Sequence, residues 1–489
     1  MAPNIKNIQG DIWPRLPKKY ERFLFFEILD AEMFKKQLET FLKYLTTAET
    51  AHKIRGKLYN RKDNTLIETM STNISFSASG LKKLGKTDLG DVIFKGGMYA
   101  DMVTAGLDRD SEWLDEFKGS KGVIDGVFTL AGSTAATVDE WMDDAINPKF
   151  FETGCAKSLF TQTGAVLNEY DIEHFGWKDG VSQPLIKGLD EETTEKLAPV
   201  NIQPGYIIVG EEGDTQSHPD WAKDGSYMVF RRLKQLVPEF TNWVVGNILP
   251  QAMISPDGGA VPSNLKMGVI STMSSRLVGR WPNGISLEEK PQPTDVLTDK
   301  ALPEDNDKLS DEDKKLLTSN NFDFNDIKQQ NRCPFASHIR KVRPRAERAL
   351  PDGTLDDTHA MIRRGISFGP LTDNDEKTTG KTAHERGLLF VSYQSNLHNG
   401  FRQVQNEWAN KVSFPSGKGK QCGGAQPGLD PIIGQWAEDD EDSNYITMPR
   451  FDDPSVTEQW KLARHVIAEG GEYFFTPSIS GMKQIIAGA

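Results

Sequence analysis

Residues 22–29 read RFLFFEIL, and residues 31–45 continue AEMFKKQLETFLKYL. The first run is aromatic and aliphatic throughout and has the length of one strand covered on both faces. The second puts Met33, Phe34, Leu38, Phe41, Leu42 and Leu45 at helical spacing, which predicts an amphipathic helix beside that strand. A strand followed by a helix returns at residues 225–233, GSYMVFRRL, with a helix expected from Pro238, because proline suits the first helical turn. The echo predicts an α+β fold built from two related halves. Residues 188–213 are rich in Pro, Gly and acids and mark the boundary, so the domains are set at 1–190 and 200–489.

The chain has 489 residues, enough for two large domains. Lys and Arg number 57 against 70 Asp and Glu, a net charge of −13, which disfavours nucleic acid as a partner. No apolar run approaches the roughly 18 residues of a membrane helix. The three cysteines, Cys155, Cys333 and Cys422, are far apart and form no CxxC or CxxCH, which removes zinc ribbons and covalent c-type haem attachment. The opening MAPNIKNIQG lacks the basic-then-apolar pattern of a signal peptide, so the chain is read as intracellular or as a mature secreted form with a new Met1. The sequon Asn73-Ile74-Ser75 leans toward the latter. The acidic segment 302–315, LPEDNDKLSDEDKK, reads as a solvated surface insertion.

Four segments hold residues suited to chemistry. In residues 331–345, NRCPFASHIRKVRPR, His338 lies among Arg340, Lys341, Arg343 and Arg345. Like charge favours neutral imidazole, the form that binds a metal, and the cations suit a cofactor's carboxylates. Haem offers both an iron and propionates. Taken alone, the spacing favours a basic surface stretch with one incidental His. In residues 175–184, FGWKDGVSQP, Asp179 is either a proton-carrying carboxylate or an Asp-Gly turn residue, and alone the turn is preferred. In residues 359–370, HAMIRRGISFGP, adjacent arginines on a strand point to opposite faces, so one faces a given pocket. In residues 386–401, RGLLFVSYQSNLHNGF, Leu388 and Phe390 share one strand face, either core or a dry pocket wall.

Together these segments resemble the fungal dye-decolorizing peroxidases. The resemblance runs from NIQGDI through GWKDGVSQP, CPFASHIRK, IRRGISFGP and RGLLFVSYQS to GLDPIIGQW, and the family's GxxDG stands as Gly176-Trp177-Lys178-Asp179-Gly180. It implies two ferredoxin-like halves, each an antiparallel sheet with helices, and one haem b per chain held mainly by the C-terminal half. His338 matches the axial iron ligand and Asp430 the acid on its other ring nitrogen. Asp179 matches the acid–base group that moves peroxide's proton, and Arg363 the charge-stabilising arginine, with Arg364 turned away. Leu388 and Phe390 match the apolar pair lining the pocket, Gln183 and Arg340 are assigned to the propionates, and Trp408 to a surface electron relay. Phe368 stands where relatives often have Tyr, which puts a second radical site in doubt.

The implied activity is reduction of hydrogen peroxide with one-electron oxidation of aromatic dyes and phenols. An acidic optimum is expected, since Asp accepts protons at lower pH than His. The resemblance also implies a secreted enzyme; a monomer or weak dimer is expected, and charge and hydropathy predict no nucleic-acid or membrane partner. A haem carrier is the rival of another class. An enzyme of the chlorite-decomposing type is disfavoured because its pattern lacks the GxxDG acid.

Overall fold

The computed structural model describes residues 2–60, 67–104, 107–168, 171–191, 201–252, 263–291, 309–324, 329–348, 356–437 and 443–488. Residues 192–200 of the expected boundary and 302–308 of the acidic segment lie outside these. The first half holds β1 (Tyr20–Ile28), β2 (Met70–Phe76), β3 (Gly126–Gly132) and β4 (Ala156–Ala165). A short parallel pair, β5 (Leu185–Ile186) and β6 (Asn201–Ile202), follows. The second half holds β7 (Ser226–Gln235), β8 (Ile362–Arg363), β9 (Ile366–Phe368) and β10 (Gly387–Gln394). A hairpin of β11 (Tyr445–Pro449) and β12 (Thr457–Lys461) precedes the last strand, β13 (Val466–Thr476).

The main sheet runs β4-β1-β3-β2-β13-β7-β10-β8, with β9 also on β10. Its two halves repeat one order. Numbered within each half, and taking β8 and β9 together, both read fourth-first-third-second, the order of a ferredoxin-like βαββαβ unit. They join where Phe475 of β13 pairs with Phe76 of β2. The sheet then curls until its ends meet: a Cβ on Gly164 of β4 would lie 2.4 Å from Ile366 Cγ2 of β9.

This curling explains the unbroken RFLFFEIL. Phe23 and Phe25 point into the barrel, where both rings reach Phe230 of β7 at 4.9 and 5.1 Å between centroids. Phe26 points outward onto Phe34 of the helix Ala31–Phe41. Each such ring, removed from water, stabilises the fold by about 1.5–3 kcal/mol. The helix starts where Asp30 accepts the Met33 N–H and shows Phe34, Leu38 and Phe41 to the sheet. Met33 is exposed, because it lies off that stripe.

In the second half the helices Val237–Ala252 and Ser263–Val278 build a separate apolar cluster with Phe240, Val244, Ile248, Met273 and Leu277. No helix among the described residues is long and apolar enough to cross a membrane. Cys155, Cys333 and Cys422 are free and buried. Asn73 corrects the reading of the sequon. It is 1% exposed within β2, and its amide donates to Thr46 O at 2.8 Å, so no glycan can reach it in the folded chain.

Candidate active site

Two loops and the start of a helix bring Asp179, Asp430 and His338 toward one partly open cavity of about 280 Å³. The apolar cluster of the second half fixes all three. It includes Trp177, two residues before Asp179, Ala336, two before His338, and Leu429, next to Asp430. Gly176 and Gly180 have φ of +101° and +75°, values that let the Asp179 segment turn on both sides.

His338 opens the helix His338–Val342 and lines the cavity. Its Nδ1 donates to Asp430 Oδ2 at 2.9 Å; a carboxylate only accepts, so this bond puts a proton on Nδ1, and in the neutral ring the lone pair is then on Nε2. Asp430 is buried, and its other oxygen takes the Ile432 and Ile433 N–H groups at 2.8 and 3.0 Å. Burial alone would raise its pKa, but His338 and these donors outweigh that and hold the carboxyl below its ordinary range.

Asp179 lines the same cavity, and its Oδ1 accepts from Arg363 Nη1 at 2.9 Å and from Gly180 N at 2.6 Å. Burial raises its pKa, yet the Arg363 charge and these hydrogen bonds prevail, leaving it below the ordinary Asp value. Arg363 also donates to Ser182 O at 3.2 Å. Arg364 turns the other way, donating from Nε to Asp11 O at 2.8 Å and from Nη2 to Ile12 O at 3.0 Å. Leu388 and Phe390 lie on the cavity face of β10.

Two expectations need correction, those for Arg340 and for the surface position of Trp408. Arg340 does not line the cavity; it is 1% exposed, pairs with Glu347 at 2.6 Å and donates to Cys333 O. On a helix, the second residue after His338 lies about 200° round, on the opposite face. Arg343 and Arg345, beyond that helix, do reach the cavity, as does Arg280. Gln183 lines it too, but its amide clamps the Arg363 backbone, accepting from N at 3.0 Å and donating to O at 3.2 Å. Trp408 lines the cavity but is not a surface residue: it is 3% exposed, stacked on Phe414 at 5.4 Å and edge-on to His359 at 5.1 Å. Phe401, Val404, Gln405 and Trp408 form the buried stripe of the helical segment His398–Ala409, a spacing readable beforehand.

Glu173 and His359 also line the cavity and went unassigned. The signal for Glu173 was an acid just upstream of the GxxDG turn. The donor set fits haem: one imidazole with a free Nε2, aliphatic walls at Val278, Ile339, Val342 and Leu388, and arginines Arg280, Arg343 and Arg345 for propionates.

Comparison with known proteins identifies the family. Residues 7–163 match the DyP dimeric alpha+beta barrel domain, and residues 304–415 match the Dyp-type peroxidase, C-terminal family. A dye-decolorizing peroxidase of Mycena epipterygia is 34% identical over 507 residues, covering 99% of this chain and 88% of its own. One from Exidia glandulosa is 33% identical, covering 98% and 86%. The structure of an ancestral D-type dye decolorizing peroxidase superposes with a TM-score of 0.84 at 36% identity, covering 99% of this chain and 100% of that one. A dye-decolorizing peroxidase in complex with 2,6-dimethoxyphenol gives 0.79 at 34%, covering 99% and 100%. The repeated sheet order, the shared cavity and full-length similarity lead to one conclusion: the chain belongs to the dye-decolorizing peroxidase family of peroxidase oxidoreductases.

Proposed function

We propose that this chain holds one haem b on His338, reduces hydrogen peroxide, and oxidises dyes and phenols in one-electron steps. The observation that carries the reading is the Asp179–Arg363 pair on the same cavity as the His338–Asp430 pair. Bound haem would supply an iron that activates peroxide and stores its two oxidising equivalents. Asp430 keeps the His338 proton on Nδ1 and makes Nε2 a stronger donor. Asp179 takes the proton from one peroxide oxygen and delivers it to the departing one. Arg363 keeps Asp179 ionised and offsets the charge growing on that oxygen. Leu388 and Phe390 narrow the space to the size of peroxide and keep bulk water out.

The direct test is an absorption spectrum of the haem-loaded protein. One equivalent of peroxide should change the Soret region promptly, and a phenol should restore it. A Soret band indifferent to peroxide makes the chain a haem carrier.

The depressed Asp179 pKa gives a pH prediction. A carboxyl lowered by Arg363 stays ionised as pH falls past the usual Asp value of about 3.9, and loses its charge only below it. The rate constant for peroxide should hold from neutrality to below about pH 4 and then decline. Stopped-flow rates across pH 2.5–7 (approximately the Asp window and above) check this, and an acid limb centred above about pH 5 refutes it.

Bulky dyes cannot enter, so Trp408 is assigned the electron relay. Being buried, it takes electrons across its cover rather than by ring contact; the Arg348 guanidinium lies 5.9 Å from its centroid. Trp408→Ser should slow large-dye turnover by about tenfold, a barrier change near ~1.4 kcal/mol, and spare the peroxide step. Equal loss in both steps, measured by steady-state and stopped-flow kinetics, refutes the relay.

A further inference from the structure

The segment 171–180 doubles back on itself. Glu173 N donates to Trp177 O at 3.0 Å, Gly176 N to Glu173 O at 2.9 Å, and Asp179 N to Asp171 O at 3.0 Å. The Glu173 side chain closes this turn. Its Oε1 accepts from Trp177 N at 3.0 Å, and its Oε2 accepts from Phe175 N at 2.9 Å and from Gln235 Nε2 at 2.7 Å. Gln235 ends β7, so one carboxylate ties the turn to the sheet of the second half.

A carboxylate is the one side chain that only accepts, and here N–H groups approach both oxygens. An amide would aim its own NH₂ at one of them. Among the described residues Glu173 has no Lys or Arg within ion-pair distance, although it lines the cavity. A half-buried carboxylate without a cation is costly, and its partial burial, joined by the Asp179 charge, pushes its pKa up against the donors. With both oxygens engaged it is poorly placed to carry protons itself.

We propose that Glu173 is the positioning residue of Asp179, holding the turn that aims the Asp179 carboxylate at Arg363 and the cavity. This rests on the reading of Asp179 as the proton carrier. Asp179 follows Trp177 by two residues, so a loosened Trp177 N–H shifts the carboxylate directly.

The test is Glu173→Gln in the haem-loaded protein, read by amide hydrogen exchange and by kinetics. Exchange at residues 175–180 should speed up, and the rate constant for peroxide should fall about 10- to 100-fold, the scale of a catalytic group displaced by about 1 Å. The KM for the reducing dye should not change. Unchanged exchange at 175–180, or faster exchange with an unchanged peroxide rate, overturns the proposal. Should that variant not fold, Gln235→Met removes the single donor from outside the turn and should move both readouts in the same direction by less; no movement in either overturns the proposal as well. Asp179→Asn run in parallel separates the two ideas: wild-type peroxide rates there refute the proton-carrier reading, while exchange still judges whether Glu173 holds the turn.

Discussion

Asp179→Asn is expected to lower the rate constant for peroxide by about 10²- to 10⁴-fold, the range for a lost general acid–base group. Asparagine has nearly the same shape, and its carbonyl can still accept from Gly180 N and Arg363, so fold and haem absorption should persist. What disappears is a group that takes a proton and gives it back. Stopped-flow mixing with peroxide, compared with far-UV circular dichroism and the resting spectrum, checks this. A variant within about threefold of the parent rate would assign the proton to another group, well inside one tenfold step of the barrier.

His338→Ala should abolish activity by removing the imidazole that faces the cavity. The expected result is loss of most haem on gel filtration, read as the Soret absorbance per protein. Added imidazole should recover part of the band, because the void left by the side chain is ring-sized. Asp430 would lose its His338 partner and keep only the N–H groups of Ile432 and Ile433. A buried acceptor so deprived costs about 1–3 kcal/mol, so Tm should fall as well. Full haem retention with an unaltered spectrum would move the axial ligand elsewhere.

Residues 22–29 and 225–233 were legible as paired strands because both faces of each are covered, which leaves a run of apolar residues with few interruptions. The repeat was legible for the same reason, whereas closure of the sheet was not: the contact of Gly164 with Ile366 leaves no local pattern. His338, Asp179 and Arg363, which line one cavity, were singled out through motif order, since each segment alone favoured a bland role. The wall assigned to Arg340 and the surface position of Trp408 both depend on a helix face: Arg340 lies on the side away from His338, and Trp408 on the buried stripe with Phe401, Val404 and Gln405. Gln183 was placed on the right wall, and its bonds to the Arg363 backbone could not be read beforehand, because a single amide carries no mark of which backbone it holds. Glu173 escaped notice because its work is done on N–H groups, which every residue but proline has.

The strand that joins the halves, β13, follows every other strand of the main sheet in the chain and stands between β2 and β7 in space. A ribosome therefore releases all the other strands before the one that zips them together. Until residues up to Thr476 have emerged, β2 and β7 each keep an open edge, and Val466 is missing from the cavity wall. His338 and Asp179 are synthesised long before that point. A nascent chain thus carries both side chains well before the wall they share is complete, and closure of the barrel by β13 is what finishes the cavity.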